Sequence, residues 1–127
     1  MPTRRHAIIQ QLLSVIFSGK GCCLPGLRVR LASDIFRVPD FAFYLEDPKV
    51  EVPATPPLLI VEIGSPDDRI SDVIRKMEEY RGWRVAHIWF IEPELKQLYV
   101  YEGGLRQADK LELSQVGVTI TVDMLLS

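Results

Sequence analysis

The feature that most limits this chain is a pair of apolar runs. Leu58-Leu59-Ile60-Val61-Glu62-Ile63 and Ala86-His87-Ile88-Trp89-Phe90-Ile91 carry one polar or titratable residue each. Runs of this length are too short to span a bilayer and read as strands buried on both faces. Between them lies a polar turn, Gly64-Ser65-Pro66-Asp67-Asp68, and then a helical pattern with Val73, Ile74 and Met77 that ends near Gly82. Strand, helix, strand in that order implies a right-handed crossover joining two parallel strands. The class that follows is α/β. With 127 residues there is room for one domain and little for two, so a single domain over 1–127 is expected.

The rest of the chain adds to this unit. Thr3 to Phe17 reads as a helix, with Ile9, Leu12, Leu13 and Ile16 at helical spacing, stopped by Ser18-Gly19-Lys20-Gly21. Gln10, Gln11 and Ser14 interrupt its apolar positions, so it is neither a secretory leader nor a membrane span, and the expected location is the cytoplasm. Cys22 and Cys23 are adjacent, a poor disulfide geometry, and read as reduced thiols near the end of that helix. Leu27 to Leu31 alternates as a half-buried strand, with Arg28 and Arg30 outward. Val38 to Leu45 is a further strand pattern, placing Phe41, Phe43 and Leu45 on one face and Asp40, Ala42 and Tyr44 on the other. Pro48, Pro53, Pro56 and Pro57 make the next segment a loop. Gln97 to Tyr101, then Gly103-Gly104 and a last strand pattern, read as a hairpin that extends the sheet.

Two residues are out of keeping with their surroundings. Glu62 is the only charged residue between Pro57 and Gly64, and a buried carboxylate is costly unless it is paired, protonated or holding a metal. Asp40 follows Pro39 inside a strand pattern, where aspartate is depleted. On neighbouring strands the two carboxylates would converge, and such hard oxygens suit Mg²⁺ or Mn²⁺. The alternative is that Asp40 caps a turn and Glu62 pairs with an arginine; spacing leaves both open. The net charge of −2 excludes a broad basic surface. Nucleic-acid contact would need a local strip, a metal or a partner subunit. Arg28, Arg30 and Arg69 are the expected phosphate contacts. His87, Tyr80, Trp83 and Trp89 read as packing, and His6, opening the first helix, as an edge-of-site candidate.

Taken in order, Pro39-Asp40, Val61-Glu62-Ile63, Ser65-Pro66, Asp72 with Lys76 and Tyr80, and the strand around Trp89 ending in Glu92-Pro93 resemble the Uma-two family. That bacterial family is described as putative restriction endonucleases of the PD-(D/E)xK fold, and the match runs from about Arg37 to Tyr101. The resemblance implies a mixed four-stranded core sheet flanked by helices. It also implies that Asp40, Glu62 and the Ile63 carbonyl hold a catalytic Mg²⁺ or Mn²⁺, that the substrate is DNA, and that the chain works as a homodimer. The simple motif has a lysine where this chain has Gly64; the family places its lysine in the following helix, and Lys76 stands there. A helix starting at Pro66 would put Lys76 about 15 Å along its axis, too far to reach; a start near Ser71 puts it one turn in. The bland role for Lys76 is an i,i+4 pair with Asp72. The family also carries a strand-like segment before the first helix, relative to which this chain is expected to be short. Two functions follow: a metal-dependent endonuclease, or a catalytically silent domain of the same fold that serves oligomerisation or partner binding.

Overall fold

The structure, a computed structural model, describes residues 3–126. Helix α1 (Arg4–Ile16) is capped by Thr3, whose hydroxyl accepts from the His6 amide at 3.2 Å. Five strands follow: β1 (Cys22–Pro25), β2 (Val29–Ala32), β3 (Ile35–Arg37), β4 (Phe41–Tyr44) and β5 (Leu59–Ile63). Helix α2 (Ile70–Gly82) then leads to β6 (His87–Glu92), β7 (Gln97–Tyr101), β8 (Leu105–Ala108), β9 (Lys110–Leu113), β10 (Val118–Thr121) and α3 (Val122–Leu126).

One six-stranded sheet runs β1-β4-β5-β6-β7-β8, with β5 and β6 parallel and every other pair antiparallel. Its inner strands β4 to β7 are the mixed four-stranded core that the resemblance implies. β8 is the expected carboxyl-terminal extension, and β1 adds an edge that the sequence did not announce. Cys22 and Cys23 therefore lie in an edge strand opposite Tyr44 and Phe43, not at the end of α1. Both are free thiols whose pKa burial raises. The β2–β3 and β9–β10 hairpins stand apart from this sheet.

Apolar residues cover both faces. Phe41, Phe43, Leu59, Val61, Trp89 and Ile91 pack against α1, α3 and the β9–β10 hairpin. Ala42, Tyr44, Ile60, Ile88 and Phe90 pack against Val73, Met77 and Tyr80 of α2. The two central strands are thus covered on both sides, which is why they read as unbroken apolar runs. The prolines of the preceding loop leave Leu59 to enter the sheet fully buried.

Candidate active site

The β4–β5 register sets Phe41 opposite Val61 and Ala42 opposite Ile60. One step further along, Asp40 falls opposite Glu62. Ala42 and Ile60 face α2, and strand alternation by twos puts Asp40 and Glu62 on that same face. Asp40 is not inside the strand, as expected, but just before it: Pro39 has no amide to give the ladder, so β4 begins at Phe41.

At this frayed end each acid binds the backbone of the other's strand. The Asp40 amide donates to Glu62 Oε2 at 3.1 Å, and the Ile63 amide donates to Asp40 Oδ2 at 2.7 Å. Lys76 Nζ donates to Glu62 Oε1 at 3.1 Å, and the Tyr80 hydroxyl donates to Oε2 at 3.3 Å. Lys76 and Tyr80 are one turn apart on α2 and so share its sheet-facing side.

Lys76 reaches because α2 opens at Ile70, close to the later of the two starts. The residues before it are tied in a turn instead: the Ser65 amide donates to the Asp68 carboxylate at 3.0 Å, and the Asp68 amide donates to the Ser65 carbonyl at 3.0 Å. Asp72 is paired with Arg75, not with Lys76. The motif lysine's usual place, Gly64, has no room for a side chain. A Cβ there would stand 2.8 Å from the Phe90 ring.

Charge at the centre is unbalanced. Glu62 is 5% exposed, and its pKa is pushed up to about 7, first by burial and then by the Asp40 carboxylate, against the pull of Lys76. Burial alone would lower Lys76, but Glu62, Asp40 and Asp68 together lift it above its ordinary value. The ammonium is therefore secure, whereas Glu62 gives up its proton only near neutrality, when it adds a second negative charge beside Asp40. The Tyr80 phenol is also raised, by burial and by Glu62. Two carboxylates against one ammonium leave a net demand for positive charge. Hard oxygens in that state fit a divalent cation that keeps several of its waters. Among the described residues no group of three or more His, Cys, Asp and Glu side chains could hold a metal. The acidic groups that could meet such an ion are the two carboxylates of Asp40 and Glu62, on one face of the sheet.

His6, expected at the edge of the site, touches one of its acids. His6 Nε2 lies 2.8 Å from Asp40 Oδ1. Tyr80, read as packing, is buried but also holds Glu62. For Tyr80 the signal was its i,i+4 spacing from Lys76; His6 and Gln10 share a helix face by the same spacing, among other polar residues of α1. The three arginines stay outside this cluster. Arg28 lies over the Phe36 ring at 4.3 Å, and Arg30 and Arg69 are exposed at the start of β2 and just before α2. His87 is half-buried at the start of β6, and burial lowers its pKa.

A mixed sheet carrying paired acids at the end of its inner strands, with a lysine delivered from the crossover helix, defines a domain of the restriction-endonuclease class. The chain belongs to the Uma2 family, described as "Putative restriction endonuclease", whose profile matches residues 1–127. It is similar in fold to the crystal structure of a putative nuclease belonging to DUF820 from Anabaena variabilis ATCC 29413, with a TM-score of 0.80 and 17% sequence identity, over 99% of this chain and 82% of that one. No curated protein matches it.

Proposed function

We propose that this chain is a metal-dependent endonuclease hydrolysing phosphodiester bonds in DNA. The observation that carries the reading is the convergence on one face of Asp40, Glu62 and Lys76, from three separate elements, with Lys76 Nζ 3.1 Å from Glu62 Oε1. Asp40, Glu62 and the Ile63 carbonyl would hold Mg²⁺ or Mn²⁺, which lowers the pKa of water and offsets charge on the scissile phosphate. Lys76, held protonated, donates to the attacking water or to the developing negative charge. Tyr80 and the Asp40 amide hold Glu62 in place from the core side. Arg69, exposed just before α2, and Arg28 and Arg30 on the β2 side are the proposed phosphate contacts. The working form is a homodimer in the cytoplasm. Among the described residues no helix is long and apolar enough to cross a membrane.

Plasmid cleavage with Mg²⁺ and with Mn²⁺ tests the reading. The wild type should nick or linearise the plasmid, and Asp40→Asn should not. Lys76→Met should reduce cleavage by about 100-fold or more while the protein still binds Mn²⁺ and melts close to wild type. A folded wild type that binds Mn²⁺ and cuts nothing would instead favour the silent module of the same fold.

A further inference from the structure

Helix α1 presses two side chains, one turn apart, onto Asp40. His6 Nε2 meets Asp40 Oδ1 at 2.8 Å. Gln10 Nε2 donates to the Asp40 carbonyl at 2.7 Å, and the Gly26 amide donates to the same carbonyl at 3.1 Å. With the Ile63 amide on Oδ2 and Asp40's own amide on Glu62, every polar group of this residue is engaged.

The His6 ring is 11% exposed, and its other nitrogen, Nδ1, is buried without a hydrogen-bond partner among the described residues. That orphan identifies the tautomer. A buried N–H without an acceptor is among the rarest and costliest vacancies in proteins, whereas an unfilled acceptor is tolerated more often. The proton therefore sits on Nε2, and the 2.8 Å contact is a hydrogen bond donated to Asp40. A histidine binding a metal through Nε2 carries its proton on Nδ1 and normally gives it to a carboxylate or carbonyl. Nothing of that kind faces Nδ1 here. We infer that His6 is a positioning residue: its Nε2 donor fixes the Asp40 carboxylate from the α1 side, as the Ile63 amide does from β5, and His6 is not itself a ligand. An ionised carboxylate offers about four lone-pair directions, so these two donors still leave it free to bind a cation. The inference deepens the nuclease reading and rests on it.

The experiment compares Mn²⁺ affinity by calorimetry in the wild type, His6→Phe and His6→Gln. Phenylalanine keeps the ring volume and loses the donor; glutamine keeps a donor of similar reach. His6→Phe should weaken Mn²⁺ binding by about 10- to 100-fold, the usual effect of losing an outer partner of a ligand, and His6→Gln should restore most of it. In the metal-free wild type, nitrogen chemical shifts should show His6 protonated at Nε2, and spin-echo spectra of bound Mn²⁺ should show no directly attached imidazole nitrogen. Equal affinity in wild type and His6→Phe would overturn the inference, as would an imidazole nitrogen on the manganese. If His6→Phe does not fold, failure of His6→Gln to bind within about tenfold of wild type would overturn it too. A wild type that binds no Mn²⁺ would remove the nuclease reading and this inference together, an outcome distinct from all the others.

Discussion

Glu62 is held in a protonation balance that acid and metal should both move. Its pKa is raised in the folded protein, so in the metal-free fold this carboxyl holds a proton more firmly than in the unfolded chain between the ordinary value of 4.5 and about 7. Stability must then fall as pH rises through that window, by at most about 3 kcal/mol from this group. A divalent cation favours the ionised form and should reverse the trend. The expected result is that Mn²⁺ raises the melting temperature more at pH 7.5 than at pH 5, conditions chosen to bracket the window. In metal-free Glu62→Gln the slope between those conditions should shrink. A slope unchanged by Glu62→Gln would assign the pH dependence to other groups.

At the scale of elements, the crossover β5–α2–β6 was legible because burial on both faces leaves an unmistakable apolar run at each strand. Edge elements were not. β1 has four residues, none fully buried, and β3 has three, so neither shows a run or a clear alternation. The acids could be suspected from their unfavourable setting, but the 3.1 Å contact of Lys76 with Glu62 depends on where α2 begins. That start is decided by the Ser65–Asp68 turn, which competes with a capping reading of the same residues. His6 lies 34 positions from Asp40, and no local pattern announces that they meet. Gly64 tests how tightly these elements are fitted. In Gly64→Ala the new methyl group must push the Phe90 ring, 2.8 Å away, and the core behind it. The expected loss is about 1–3 kcal/mol, read as a lower midpoint in urea denaturation with an unchanged slope. A midpoint equal to wild type would mean that the ring swings aside freely.

Across the whole molecule, the question is what meets the outer strands. The carboxyl-terminal third is rich in apolar residues that a dimer face could use. Most are consumed internally: Leu111, Leu113, Val118 and Ile120 are buried in the chain's own core, whereas Leu95 and Met124 are exposed. The sheet has two edge strands, the uncharged β1 and, in this third of the chain, β8, which is bonded on one side to β7 and carries Arg106 as its only charge. A homodimer built on this side would use backbone pairing more than apolar area. It would also give two sites for the two strands of a duplex. Sedimentation equilibrium at micromolar concentration should show twice the 14.5 kDa chain mass, and a proline at Gln107 should shift the population toward the single chain. A single-chain mass at every concentration would leave double-strand cutting to two separate encounters.

The interlocked end of β4 and β5 has a consequence for how such a sequence drifts. The Asp40 carboxylate satisfies the Ile63 amide where the strand ladder has run out, and Glu62 does the same for Asp40's amide. Selection for a properly closed sheet would therefore preserve both acids in a lineage that no longer cut anything. Lys76 has no such second duty: it is partly solvent-exposed, and the hydrogen bond it makes is to a carboxylate that can be neutralised by a proton instead. In a descendant released from its chemistry, the lysine is the residue to disappear first, and its persistence says more about activity than that of the two acids beside it.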